Sequence, residues 1–279
     1  MNVRQLGISR RTVAVAACLL GMVSLAIGAH AALNKRALDA AKAIGTEQAG
    51  DVAGRPARLA LIIGNGHYPD ASAPLAQPIN DARALTATLR RNGFDVDVVE
   101  DASKDDMHRA ISRLKSRINK DAVVMLFFGG YGVQAGRESF MVPVDARIWK
   151  ESDVKREGIS VESVLEEIRE RGARAKLVVI DASRRNPYER RFRSFSHGLA
   201  PISAPDNALI LTSATPGKVA DDSKGQNSVL VSELLNNFNS QAGVESVFNK
   251  TRVAISRASD GEQVPTVSST LIEEVSLGG

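Results

Sequence analysis

Two short polar clusters, each delivered by an apolar run, carry the residue types in this sequence that could do chemistry. The run Lys176-Leu177-Val178-Val179-Ile180 ends in Asp181-Ala182-Ser183-Arg184-Arg185-Asn186-Pro187, so an acid and a hydroxyl stand two residues apart where a strand gives way to a loop. The run Val123 to Phe128 ends in Gly129-Gly130-Tyr131-Gly132, whose glycines let one backbone approach another closely. A serine hydroxyl is a nucleophile only beside a base, and a phenol with a pKa near 10 is neutral at working pH and a poor base. Among the four histidines, His30 belongs to the N-terminal segment, His108 to the polar side of a helix, and His67 and His197 to loops. His67 follows an apolar run and is the better stand-in for a base; a loop histidine without a catalytic role is the plainer reading. A second acid, Asp81, stands in Asn80-Asp81-Ala82-Arg83 at the start of a helical pattern.

The elements that must position these residues alternate. Arg58–Asn65 reads as a first strand. Pro78 suits the first turn of a helix whose apolar face is Ile79, Ala82, Leu85 and Leu89, ending at Asn92-Gly93. Phe94–Glu100 is the next strand, and Ser103 with Asp106 caps a helix carrying Met107, Ile111, Leu114 and Ile118 on one side. Ala122–Phe128 follows as a central strand. A weakly alternating stretch, Glu138–Ala146, predicts a small hairpin, and Ser160–Arg171 a helix with Val161, Val164, Leu165 and Ile168 inward. After the Lys176–Asp181 strand come an irregular stretch to Asn207, a strand at Ala208–Ser213, helices at Ser228–Phe238 and Val244–Ser256, and an edge strand near Val264–Ser268. Continuous apolar strands separated by helices predict an α/β fold, a mostly parallel sheet with helices on both faces. In such sheets ligands sit beyond the carboxyl ends of the strands, where Tyr131 and Ser183 both fall.

A set of motifs in fixed order carries a family resemblance: Leu61-Ile62-Ile63-Gly64-Asn65, Asn80-Asp81-Ala82-Arg83, Tyr131-Gly132-Val133-Gln134, Val142-Pro143-Val144-Asp145-Ala146, Asp181-Ala182-Ser183-Arg184 and Gly198-Leu199-Ala200-Pro201. The chain resembles a bacterial metacaspase, a caspase-like domain of the peptidase C14 family. The resemblance implies a three-layer α/β/α caspase-like fold with a mostly parallel sheet of about six strands. It also implies that Tyr131 and Ser183 occupy the positions of the family's catalytic histidine and cysteine, which is why activity as a cysteine peptidase is not expected. By the same resemblance, Asp81 and Asp181 line a pocket for an arginine or lysine side chain. Each acid also has a plain structural use, Asp81 near a helix N-terminus and Asp181 accepting loop amides.

Residues 1–31 read as a secretory signal peptide: Arg4, Arg10 and Arg11, an apolar stretch from Val13 to about Ile27, then Ala29-His30-Ala31. An uncleaved anchor is the alternative, so the domain is expected in the periplasm or secreted, with a membrane contact only through this segment. Residues 32–57 read as a linker, 58–272 as the caspase-like domain and 273–279 as a tail. The leader carries three of the 36 basic residues and none of the 32 acids, which leaves the remainder near neutral and speaks against general nucleic-acid binding. Cys18, the single cysteine, lies in the leader, so a processed chain has no thiol for disulfides, zinc or catalysis. Asp101, Asp105 and Asp106 match no calcium loop, and neither a metal nor a cofactor is expected. The loop from Arg184 to Arg193 holds five arginines and two aromatics. A solvated loop, an anionic partner, and docking of one arginine into the Asp81/Asp181 pocket are its three readings. The expected function is an exported caspase-like pseudopeptidase that binds basic peptide segments or regulates a partner. A serine-dependent Arg/Lys peptidase and an envelope scaffold are the alternatives.

Overall fold

The computed structural model describes residues 57–69, 74–188, 191, 198–220, 225–238 and 241–278. The leader and nearly all of the linker, with Cys18 and His30, lie outside the described residues, as does His197. Strands β1 (Arg58–Gly64), β2 (Asp95–Glu100) and β3 (Val123–Gly129) alternate with helices α1 (Gln77–Arg91) and α2 (Lys104–Arg117). Next come β4 (Gly132–Ala135), β5 (Glu138–Met141), α3 (Glu151–Glu157), β6 (Ile159–Ser160) and α4 (Val161–Glu170). The chain continues through β7 (Ala175–Asp181), β8 (Ala208–Thr212), α5 (Val229–Asn237), α6 (Val244–Ala258) and β9 (Thr266–Ser269).

The main sheet has six strands in the order β2-β1-β3-β7-β8-β9. All pair in parallel except β9, which closes the edge antiparallel to β8. Every residue of β3 and β7 is buried, because both faces of the sheet are covered. Side chains along each strand alternate between the two layers. Leu59, Leu61 and Ile63 of β1 join Val124, Leu126 and Phe128 of β3 under α2 and α4. Ala60 and Ile62 join Met125, Phe127, Leu177 and Val179 under α1, α5 and α6. The three-layer arrangement expected from the apolar runs is therefore present, and the reason is the one the pattern implies: the central strands β1, β3 and β7 offer apolar side chains to both layers.

Local signals explain the helix starts. At α2, the Ser103 side chain accepts from the Asp106 amide while Asp106 accepts from the Ser103 amide, a reciprocal capping box. Gly64 is required where α1 crosses β1, since a Cβ there would stand 2.4 Å from the Pro78 carbonyl oxygen. Two sequence expectations need correction. The small hairpin is not Glu138–Ala146; it pairs Gly132–Ala135 with Glu138–Met141 and begins immediately after Tyr131, with Ile159–Ser160 as a third strand. Its turn uses Gly136 at φ 69, and the short strands on either side carry little alternation for a pattern to detect. The residues set apart as a tail are packed: Val275 and Leu277 are buried, Gly243 bridges Ser276, and the Arg58 guanidinium donates to the carbonyls of Ser276 and Gly278. Among the described residues no helix is long and apolar enough to cross a membrane.

Candidate active-site rim

The carboxyl ends of β1, β3, β7 and β8 form a continuous rim, stitched by backbone hydrogen bonds that continue past the strands. The Asn65 amide donates to the Gly129 carbonyl at 2.8 Å, and the Gly132 amide donates to the Ala182 carbonyl at 3.0 Å. Gly132 admits no side chain, because a Cβ would stand 2.8 Å from that same carbonyl oxygen. Tyr131 and Ser183 are thereby delivered by neighbouring strands, as the two polar clusters require. Asn65, fully buried, clamps the rim from beneath by accepting from the Ala102 amide at 2.8 Å and donating to Val142 O at 3.2 Å.

Tyr131 and Ser183 are each engaged. The Tyr131 ring packs edge-on against Tyr68, with centroids 4.8 Å apart, and its amide donates to the Tyr68 hydroxyl at 3.1 Å. That hydroxyl in turn donates to Val142 O at 3.0 Å, and burial raises the Tyr68 phenol far above its ordinary value. Ser183 is 1% exposed, and its amide donates to Ser213 Oγ at 3.3 Å. The amide of a nucleophile is a common donor to a reacting oxyanion, and here it points at a neighbouring hydroxyl instead.

His67 is drawn away from Ser183. Its Nδ1 lies 2.5 Å from Asp101 Oδ2, while Asp101 Oδ1 accepts the amides of Gly66 and His67. Asp101 follows β2, on the side of β1 opposite to β3 and β7, so the imidazole is tied toward the wrong edge of the sheet to serve Ser183. Burial would raise the Asp101 carboxyl, but the amides of His67 and Gly66 and the imidazole together hold it below its ordinary value. Asp106 belongs to the α2 capping box, which accounts for a second member of the acidic cluster.

Asp81 and Asp181 are brought together in the interior. Asp81 is wholly buried and Asp181 is 2% exposed. Asp81 Oδ1 accepts from Asn227 Nδ2 at 2.8 Å and from the Ser228 amide at 3.0 Å, so the acid serves the N-terminus of α5 rather than that of its own helix. Burial, and then the charge of Asp181, push the Asp81 carboxyl up to about 7. The Oδ2 atoms of both acids have no hydrogen-bond partner among the described residues. Arg184 is 5% exposed and faces Asp181 with Nη2 4.0 Å from Oδ2.

A family comparison agrees with this geometry. Residues 57–276 match the model of the peptidase C14 caspase domain. The chain belongs to the caspase-domain family. Over 133 residues it is 29% identical to the human protein named mucosa-associated lymphoid tissue lymphoma translocation protein 1, covering 47% of this chain and 16% of that protein. The mouse homolog of that protein is 30% identical over 133 residues, with the same coverage. The match therefore spans a small part of these relatives' length. Within this caspase domain, several residues at the rim were not singled out by the sequence. Tyr68 and Ser213 sit in loops with no pattern of their own, and Asn227 lies 146 residues from Asp81. Arg184 stood among five loop arginines with nothing in the sequence to mark it as buried. In that loop Asn186 and Tyr188 are buried as well, Arg185 is exposed, and the Arg191 guanidinium lies 4.6 Å from the Trp149 ring centroid.

Proposed function

We propose that this caspase-domain chain is an exported pseudopeptidase, a binding or regulatory module that recognises basic peptide segments without cleaving them. The observation that carries the reading is the state of Ser183, which is 1% exposed with its amide committed to Ser213. A serine so placed needs an imidazole-like base, a free oxyanion donor and access to substrate. Tyr131 supplies a neutral phenol instead, and His67 is held by Asp101. Loss of both members of a nucleophile and base pair costs roughly a million-fold in turnover, because the two act as a unit.

Recognition of a basic side chain is supported by the two unsatisfied carboxylate oxygens of Asp81 and Asp181. Export is supported by the composition of residues 1–31 alone. The test compares wild type with Ser183→Ala on a library of Arg- and Lys-containing peptides, scoring cleavage and binding separately. Equal, background-level cleavage by both proteins, with binding of Arg peptides in preference to their citrulline counterparts, is the expected outcome. Faster cleavage by wild type would make the chain a serine-dependent peptidase.

A further inference from the structure

Arg184 sits directly after Ser183 at the rim of the sheet, where a long charged side chain ordinarily reaches water. It is instead 5% exposed, and Asp181 is a charged group it faces, at 4.0 Å. A guanidinium leaves water at a high cost, which an opposite charge and hydrogen-bond acceptors offset. The backbone around it is fixed: the Arg184 amide donates to Ala182 O at 2.8 Å, and the Tyr188 amide to Asn186 Oδ1 at 2.9 Å. The inward position is therefore built into the loop.

We infer that Arg184 is the resident, tethered ligand of the Asp81/Asp181 pocket, so that a partner's basic side chain enters only by displacing it. The inference rests on the reading above that this acid pair takes basic side chains. It adds that the site is occupied from within and that opening it is the regulated step.

The contact has the geometry of a displaceable ligand. Charge-assisted hydrogen bonds between guanidinium and carboxylate close to about 2.7–2.9 Å, whereas the Arg184–Asp181 separation is 4.0 Å. The Oδ2 atoms of both acids are buried and accept no hydrogen bond among the described residues, so an incoming arginine reaches them only once Arg184 has moved aside. Against this, a tethered group competes at an effective concentration in the millimolar range, which weakens the apparent affinity of any peptide for the pocket. Removing the resident charge removes that competition.

The experiment uses the full chain with two probes, an acetylated, amidated tripeptide centred on arginine and its citrulline counterpart, titrated by calorimetry. Arg184→Met keeps the apolar stem and deletes the charge; it is expected to bind the arginine probe at least tenfold more tightly than wild type, with no change for citrulline. Arg184→Lys keeps a cation with a less extensive hydrogen-bonding head and is expected to fall between, which leaves the test intact if the methionine variant does not fold. Separately, a thermal-unfolding cycle of Arg184→Lys and Asp181→Asn should show coupling between the two positions. Variants that bind the arginine probe no more tightly than a wild type that does bind it overturn internal occupancy and leave the basic-pocket reading standing. Coupling in the cycle with no arginine preference in any protein removes the basic-pocket reading and this inference with it. Absence of coupling overturns the inference whatever the titrations give.

Discussion

Asp81 carries the most informative chemistry at the level of single residues. Its carboxyl rises from an ordinary 3.8 to about 7 because it is buried and because Asp181 repels a second charge. The folded chain thus holds a proton that the unfolded chain releases at lower pH. Stability from this group is complete below about pH 4 and is lost as pH climbs toward 7, by up to roughly 1.4 kcal/mol per pH unit. Asp81→Asn cannot ionise yet keeps an oxygen for the Ser228 amide and Asn227, so it should flatten the pH dependence and match or exceed wild-type stability at pH 8. Urea unfolding at pH 5.5 and pH 8 reads this directly, and parallel curves for the two proteins would refute it. The pairing of Asp81 with Asp181 was suggested by motif resemblance; that Asp81 caps α5 was invisible in sequence, since nothing local ties it to Ser228.

At the scale of elements, the strands and helices of the main sheet were legible because their cues are short-range: continuous apolar runs, a capping box, a proline in a first turn. The hairpin after Tyr131 and the short helix α3 were not, because strands of four residues and a helix of seven carry too few positions for periodicity to register. The C-terminal segment makes the same point through burial. Val275 and Leu277 are spaced like the inward side of a strand, but nothing local says that α6 and β1 receive them. Leu277→Ala, at a side chain with no exposure, should cost about 2–5 kcal/mol of unfolding free energy. A urea midpoint unchanged from wild type would restore the view of residues 273–279 as an appendage.

For the molecule as a whole, the proposed removal of residues 1–31 leaves a domain with no cysteine, because Cys18 is the only one. Protein recovered from outside the cytoplasm should therefore start near Ala32 by N-terminal sequencing and titrate no thiol under denaturing conditions. A Met1 or Asn2 terminus in the membrane fraction would replace export of a free domain by anchoring. Sequence alone determined the alternating α/β layout, the convergence of Tyr131 and Ser183 on one rim, and the absence of a thiol in any chain cut after Ala31. Those properties follow from residue type, apolar period and the rule that parallel strands present their carboxyl ends together. Only the tertiary structure decided that Ser183 is sealed with its amide on Ser213, that His67 is held by Asp101, and that one arginine of a basic loop turns inward to Asp181. These outcomes depend on contacts between residues far apart in the chain, where burial sets the cost of an unpaired polar group and only the assembled fold says which partner is within reach.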